Sequence, residues 1–245
     1  GSPGIGAPDC PSGDNGRKIN AEPSESLPEI DLVDSEIQER VEEYSNSPNY
    51  LPDGGGKTVV NVTPGNYYMD QNNDARELDW NTDPSKIRFQ TDGGPINIAM
   101  KNDTDTQLLF DDVEVEVDGA NPVRVYSKNA SSLITSIPKI RFENATMDVD
   151  GNRTDLFTVF VESTDSSART VVKFDDSTQF YGTLYAPDTN WVQVTESDIH
   201  GAMVVGEADI VDSGVHYDQQ LRDPAAEGSS AVNYLHVTDN RVRIR

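Results

Sequence analysis

Closely spaced aspartates are the residues of this sequence whose type and spacing best suit catalysis. Pairs occur at Asp111-Asp112, at Asp148 and Asp150, and at Asp175-Asp176. Glycoside hydrolysis needs one protonated and one ionised carboxyl group at a defined separation. A β-helix polysaccharide lyase or glycoside hydrolase that uses such paired aspartates is therefore one hypothesis. Adjacent aspartates also arise by composition alone in a chain this acidic, and we favour the non-catalytic interpretation.

The same aspartates also suit a divalent cation. Ca²⁺ prefers clustered carboxylate and carbonyl oxygens, and its common binding loop combines alternating acids, a glycine and a following Glu at fixed spacing. The sequence holds no such loop. We therefore predict no metal site and no cofactor, with Ca²⁺ or another cation on the acidic surface as the alternative.

Three histidines, His200, His216 and His236, are the remaining candidates for metal or acid–base chemistry. Their spacing does not form a local zinc motif. If neighbouring segments stack in register, His200 and His216 approach each other. We interpret His216-Tyr217-Asp218 as a structural closing motif. The sequence also lacks a Gly-x-Ser-x-Gly motif, a P-loop, a dinucleotide fingerprint and a Cys-His pair, and we predict a protein that is not an enzyme.

Sequons provide the main signal for cellular location. Five Asn-x-Ser/Thr matches are glycosylation candidates, at Asn61, Asn102, Asn129, Asn144 and Asn152. Glycosylated sequons lie on surface segments of exported proteins. Cysteine adds nothing, because Cys10 is the single cysteine and has no internal partner for a disulfide. The sequons therefore favour an extracellular glycoprotein.

The charge of the chain indicates a protein that works in concentrated salt. The net charge is −24, from 43 acidic and 19 basic residues. The acids are spread from Glu22 to Asp239 and coexist with strand patterns such as Val113 to Val117. Molar salt reduces the Debye length to about 3 Å and screens the self-repulsion of such a surface. The composition is typical of a halophile's acidic protein, and it excludes binding to nucleic-acid phosphates or anionic membranes.

The pattern of apolar residues predicts one helix followed by many short strands. Apolar residues recur at steps of three and four from Ile30 to Tyr44, which is the spacing of an amphipathic helix. Short β-patterned segments then follow from Thr58 to Val211, including Leu133 to Ile137, and are divided by Asp, Asn, Gly and Ser. The sequence therefore predicts an all-β fold with one helix.

An internal repeat narrows this prediction to a β-solenoid. Phe110, Phe142 and Phe174 lie 32 residues apart, each followed by an acid. Repeats of 20 to 50 residues are typical of solenoids, in which stacking supplies the core that one unit cannot make. We predict a parallel β-helix-like solenoid with these three rings as an interior stack. The alternative is a β-sandwich, which also has many short strands.

The predicted organisation has four parts. A flexible tail covers residues 1–22, a capping helix and loop 23–56, a β-solenoid domain 57–221, and a linker with a C-terminal hairpin 222–245. The helix is expected to cover the N-terminal end of the solenoid and protect its edge from strand addition. The hairpin is expected from Val232 to Val237 and Arg241 to Arg245, which alternate on either side of Thr238-Asp-Asn240.

A set of motifs in the last third of the chain resembles a known family. The motifs are Phe180-Tyr-Gly-Thr-Leu-Tyr-Ala-Pro-Asp188, Ile199-His-Gly-Ala-Met-Val204, Val215-His-Tyr-Asp218 and Tyr234-Leu-His-Val237. They resemble the polymer-forming C-terminal β-solenoid of PilX-like pilus-assembly proteins and of haloarchaeal surface proteins with type IV pilin-like N-termini. Leu184 and Asp188 replace the Ile and Asn usual in that family. The resemblance implies an exported surface or filament-associated protein.

We therefore expect a non-catalytic extracellular module, structural or adhesive, of a halophilic archaeal surface or pilus-associated protein. Its expected partners are other cell-surface or filament subunits and polysaccharide. Contact with a membrane is expected only through a segment outside this sequence. The alternatives are the β-helix lyase or hydrolase and, as a third class, a viral or cell-fusion ectodomain, whose exposed apolar loop is not evident.

Overall fold

The computed structural model describes residues 30–46, 48–52, 57–69, 77–79, 85–101, 107–128, 139–149, 151, 153–162, 171–187, 192–217 and 243–244. These residues form one helix, α1 (Ile30–Asn46), and eighteen strands. The strands are β1 (Val59–Val62), β2 (Gly65–Met69), β3 (Glu77–Asp79), β4 (Lys86–Gln90), β5 (Ile96–Met100), β6 (Gln107–Asp111), β7 (Glu114–Asp118), β8 (Val123–Ser127), β9 (Ile140–Glu143), β10 (Thr146–Val149), β11 (Phe157–Val161), β12 (Val172–Asp175), β13 (Gln179–Ala186), β14 (Val192–Thr195), β15 (Asp198–Val205), β16 (Ala208–Val211), β17 (Gly214–Tyr217) and β18 (Arg243–Ile244).

The strands pair in parallel and form three rows. Row 1 contains β1, β4, β7, β10, the first halves of β13 and β15, and β17. Row 2 contains β2, β5, β8, β11 and the second halves of β13 and β15. Row 3 contains β3, β6, β9, β12, β14, β16 and β18. The described chain is therefore an all-β structure of parallel sheets with one helix, whereas the alternative β-sandwich would need antiparallel pairs.

The 32-residue repeat appears as strand register. Leu108 pairs with Ile140, and Ile140 pairs with Val172. A repeat unit is a set of consecutive strands that contributes one segment to each of the three rows. Equal spacing in sequence places equivalent residues of successive units beside each other, so the prediction of in-register pairing is confirmed for β6, β9 and β12.

Alternation along each strand separates the interior from the surface. In β7, Val115 and Val117 are buried, while Glu114 and Glu116 point outward. Successive side chains of a strand point to opposite sides, so one apolar residue in two is enough to build a core. One contiguous cluster of buried apolar residues runs from Val60 in β1 to Ala208 in β16.

The three repeated phenylalanines stack inside this core. The ring of Phe142 lies 4.7 Å from that of Phe110 and 5.1 Å from that of Phe174, with interplanar angles of 8° in both pairs. All three side chains are fully buried. Such aromatic pairs contribute about 0.5–1.5 kcal/mol beyond their burial. The stack therefore ties β6, β9 and β12 together through side chains as well as hydrogen bonds.

The helix lies along a side of the sheet, and the prediction that it caps the N-terminal end is wrong. Helix α1 contacts β2, β5 and β8 of row 2. Its buried residues Ile37, Val41 and Tyr44 pack on an outward-facing apolar column of that row. The column consists of Tyr68, Ala99, Tyr126, Phe160 and Tyr185. Row 2 therefore carries an apolar column on each side, and the helix covers the outer column along β2, β5 and β8.

Glycine lets β13 and β15 bend from row 1 into row 2 without a loop. Gly182 of β13 pairs with Gly201 of β15. Gly201 has a φ of 135°, which L side chains rarely adopt. A Cβ atom at Gly201 would overlap the carbonyl oxygen of Gly182. These two positions therefore require glycine, which explains why it recurs in both copies of the downstream motif.

One strand was not predicted from the sequence, and two predicted features fall wholly or partly outside the described residues. Strand β3 was not predicted, because its polar Glu-Leu-Asp sequence shows no strand pattern. In β18, Arg243 and Ile244 pair in parallel with Asp209 and Ile210 of β16. The other hairpin strand, 232–237, and the strand predicted at 133–137 lie outside the described residues.

Among the described residues, no helix has both the length and the apolar character needed to span a bilayer.

Candidate functional surfaces

The second acid of two predicted aspartate pairs turns a corner of the fold, and an asparagine turns the equivalent corner between them. Asp112, Asn144 and Asp176 follow the ends of β6, β9 and β12 and have positive φ values of 49°, 46° and 49°. Asp and Asn tolerate this left-handed conformation better than most residues. The side-chain amide of Asn144 donates a hydrogen bond to Asp112 Oδ1. These residues connect row 3 to row 1, and this backbone role accounts for their type.

The first acid of these two pairs lies on the outer face of row 3, with a glutamate at the equivalent position between them. Asp111, Glu143 and Asp175 are register partners in β6, β9 and β12. Arg141 forms an ion pair with Glu143, and Lys173 forms one with Asp175. Consecutive acids therefore have different backbone roles, because one ends a strand and the next turns the corner.

One acidic group on this face has the composition of a cation site. Ligand oxygens of Glu143, Asp175 and Asp176 lie within 4.8 Å of one another. Two of the three carboxylates already face Arg141 and Lys173. In the remaining predicted pair, Asp148 points outward on row 1. Its partner Asp150 lies outside the described residues.

An aromatic column occupies the outer face of row 1. The rings of Tyr181 and His200 stack at 4.5 Å, and those of His200 and His216 stack at 4.7 Å. His216 Nε2 lies 3.6 Å from Asp198 Oδ1. Burial lowers the pKa of His200, the neighbouring His216 lowers it further, and Asp198 opposes both. The column therefore favours the neutral imidazole of His200.

The predicted closing motif lies at the end of row 1. His216 pairs with His200, and Tyr217 pairs with Gly201, so both belong to β17. Asp218, the third member of the motif, lies outside the described residues. Both residues contact β15 through strand pairing, and His216 also contacts the ring of His200 and the carboxylate of Asp198.

The sequons are divided between described and undescribed residues. Asn61, on β1, and Asn144, at a row corner, have exposed side chains. Asn102, Asn129 and Asn152 lie outside the described residues. Asn144 donates its amide to Asp112, so an attached glycan would compete with this hydrogen bond.

Lysine and arginine on row 1 are paired with acids across strands. Lys86 Nζ lies 2.9 Å from Glu114 Oε1 and 2.7 Å from Glu116 Oε2, and Arg88 Nε lies 2.6 Å from Glu116 Oε2. Burial raises the pKa of Glu116, but hydrogen bonds from Lys86 and Arg88 outweigh it, and the resulting pKa is below the ordinary value. Lys86 and Arg88 therefore form their ion pairs with acids of the same face.

Row 2 carries a polar column that was not predicted from the sequence. Asn66, Asn97 and Arg124 are register partners in β2, β5 and β8, beside the apolar column that the helix covers. Because α1 was expected at the end of the fold, nothing in the sequence linked these residues to it. The recurrence of polar residues two positions before Tyr68, Ala99 and Tyr126 was the available signal.

The geometry defines an all-β protein of parallel sheets whose outer faces carry in-register columns of side chains. The chain belongs to the family described as a domain of unknown function, DUF7305, whose profile matches residues 14–224. No curated protein and no solved structure gives a significant match to the chain. The family match includes α1 and every strand except β18.

Proposed function

We propose that the chain is a β-solenoid that serves as a non-catalytic structural or adhesive module on the surface of a halophilic archaeon. In this proposal each repeat unit is one solenoid turn, and the protein is a pilus-associated or envelope-associated member of the type IV pilin-like, polymer-forming group that its motifs resemble. The observation that carries the proposal is the register of equivalent residues through all three rows of strands.

Register of this kind supports a rigid structural element. Strands within a row exchange backbone hydrogen bonds with the preceding and following units, and the interior is one apolar cluster. Each unit is stabilised mainly by its neighbours, as expected for a stacked repeat protein. A rigid body with long columns of identical spacing suits lateral or end-on association better than the movement of a catalytic loop.

The charge of the chain supports a location exposed to brine. With 43 acidic and 19 basic residues, the surface carries a large negative excess that molar salt screens. The two exposed sequons, Asn61 and Asn144, are in positions that an extracellular glycan could occupy. The proposed partners are other surface or filament subunits and polysaccharide.

The contacts of the aspartates favour the non-catalytic form of the proposal over the lyase or hydrolase. Asp112 and Asp176 turn corners, and Asp175 is paired with Lys173. These roles explain the acids as parts of the fold.

Immunolabelling of intact cells of the source organism in isotonic brine tests the surface location. Antibodies raised against the purified chain are compared with antibodies against a cytoplasmic protein, on intact and on lysed cells. We expect the first antibody alone to label intact cells. Labelling that appears only after lysis would refute the surface assignment.

Incubation with acidic and neutral polysaccharides in molar KCl tests the catalytic alternative. We expect no release of reducing or unsaturated ends above that of heat-denatured protein. Sustained turnover that is lost in Asp175→Asn or Asp176→Asn, but kept in the matched variant Asp148→Asn on row 1, would overturn the non-catalytic assignment.

A further inference from the structure

A groove of about 340 Å³ lies between helix α1 and the outer surface of row 2. Asn66, Asn97 and Arg124 form its strand side. Asn97 Nδ2 donates a hydrogen bond to Asn66 Oδ1 at 2.9 Å. This bond orients both amides and leaves the Asn97 carbonyl and the Asn66 amino group able to bind a ligand. A volume of a few hundred Å³ is enough for one small molecule.

Among the arginines whose side chains the structure describes, Arg124 differs from the others in having no carboxylate partner. Arg40, Arg88, Arg141 and Arg153 each form an ion pair with a carboxylate. Arg124 forms neither a hydrogen bond nor an ion pair within the part of the chain that the structure describes. Its planar guanidinium group matches a carboxylate through two parallel hydrogen bonds. A half-buried arginine without such a partner, in a chain with excess acid, points to a carboxylate supplied from outside.

Two tyrosines line the same groove. Tyr44 comes from the helix and Tyr126 from β8, and both rings are buried. Burial raises the pKa of Tyr126 to about 12, with Arg124 acting in the opposite direction. Burial also raises the pKa of Tyr44, and Arg40 opposes it. Both phenols therefore stay protonated in neutral solution and can donate hydrogen bonds to a ligand.

The helix side adds one acceptor and a second cation. Glu36 and Arg40 line the groove, and Arg40 Nε lies 3.9 Å from Glu36 Oε1. Arg40 is already engaged by Glu43 through a contact of 3.0 Å. Glu36 therefore has carboxylate capacity to accept hydrogen bonds from ligand hydroxyl groups. The groove thus combines one free guanidinium group with several hydroxyl-binding groups.

We propose that this groove binds a hydroxylated carboxylate, namely a hexuronic acid residue, through Arg124, Asn66, Asn97, Tyr44, Tyr126 and Glu36. Arg124 pairs with the carboxylate, and the amides, phenols and Glu36 bind the ring hydroxyls. The residue is the free sugar acid or the end of a glycan, since both present the same chemistry. This inference rests on the adhesive form of the proposed function and gives it a ligand class.

Saturation-transfer NMR titrations in molar KCl test the proposal, with the intact chain and four small probes. The probes are D-glucuronate, methyl β-D-glucuronide, D-glucose and acetate. We expect both glucuronates to bind at least about tenfold more tightly than glucose or acetate, because each control lacks one half of the recognition. Tighter binding of the methyl glycoside than of the free acid identifies a glycan end, and weaker binding of the glycoside identifies the free sugar acid.

Four variants separate binding in the groove from general charge effects. Arg124→Gln is expected to weaken glucuronate binding by about tenfold, and Arg124→Lys by less, because it keeps the charge and loses the fork. Tyr126→Phe, which keeps the ring, is expected to weaken binding severalfold. Arg88→Gln, which removes the same charge from row 1, should bind as the unchanged protein does. Thermal melting of each variant verifies folding.

Two results would overturn the proposal. One is glucuronate binding that equals glucose or acetate binding, or is undetectable, in the folded protein. The other is binding that Arg124→Gln and Arg88→Gln weaken equally. Neither result changes the outcome of surface labelling, so failure of this ligand assignment is distinguishable from failure of the surface-module function.

Discussion

The two ends of the strand rows differ in how their apolar interior is covered. At the N-terminal end, Val60 and Val62 of β1 are fully buried, and Leu51 belongs to the same core cluster. At the C-terminal end, Val215 of β17 is 42% exposed, although it pairs with the buried Ile199. Equivalent positions therefore have different environments at the two ends.

The segment before β1 explains the difference. Residues 48–52 fold against the first unit, where the Tyr68 amide donates to the Asn49 carbonyl at 2.8 Å and Leu51 is only 7% exposed. A stacked unit normally receives half of its cover from the next one. At the last unit Met203, Val205 and Ile210 are only partly buried. We infer that stability decreases along the rows from the closed end towards the open end.

Shortening a buried side chain in the middle of the rows should have the largest effect on the free energy of unfolding. Phe142→Ala removes the ring that stacks on both Phe110 and Phe174. The lost transfer energy and the cavity should lower the free energy of unfolding by about 3–5 kcal/mol. Urea unfolding in molar KCl measures the change, and Phe142→Leu should cost less than half as much. An effect below about 1 kcal/mol would contradict a shared interior stack.

Truncation at the closed end should have an intermediate effect. Val62→Ala deletes two methyl groups from a side chain that is 0% exposed. Their burial and the remaining cavity correspond to about 2 kcal/mol of unfolding free energy. The same urea titration measures this value, with Asn61→Ala, on the outer face of the same strand, as the control. A loss no greater than that of the control would show that this end is not closed.

The identical truncation at the open end should have little effect. Val215→Ala removes the same two methyl groups from a side chain that is 42% exposed. We expect a loss below about 0.5 kcal/mol, because most of the deleted surface already contacts water. Native-state hydrogen exchange should also show the amides of β17 exchanging before those of β4. Equal losses for Val62→Ala and Val215→Ala would remove the distinction between the ends.

Acidification should weaken the open end slightly. Burial and then His216 hold the pKa of His200 below its ordinary value of 6.5. The unfolded chain then binds more protons than the folded one, so stability is complete above the unfolded pKa and declines as the pH falls towards the folded value. At constant salt, His200→Gln should reduce the decrease in Tm between pH 8 and pH 5 by about 1 °C. No reduction, or a larger decrease, would contradict this sign.

Regular spacing is the part of the fold that the sequence could predict. Phe110, Phe142 and Phe174 share a position in a repeat of constant length, and parallel strands of constant spacing pair in register. The placement of α1 could not be predicted, because an amphipathic stripe shows that a helix buries one side without showing which surface receives it. The outward column on row 2 becomes recognisable only when the pairing is known.

The aspartates show that the geometry of a site could not be predicted from the sequence either. Asp175 and Asp176 are adjacent in sequence, yet one points outward from β12 and the other adopts a left-handed conformation. Side-chain direction at a corner depends on the backbone, which composition does not reveal. The groove at Arg124 was missed for a related reason, since its two sides come from segments far apart in the chain.

The distance along the chain between paired strands is not constant, although their alignment is. Leu108 and Ile140 are 32 residues apart, whereas Val192 and Ala208, which pair in the same row, are 16 apart. The stretch of chain that forms one unit can therefore shorten by half without changing which residues meet. Members of this family should consequently vary most in length at the bends, and peptide insertions for display or labelling should be tolerated there.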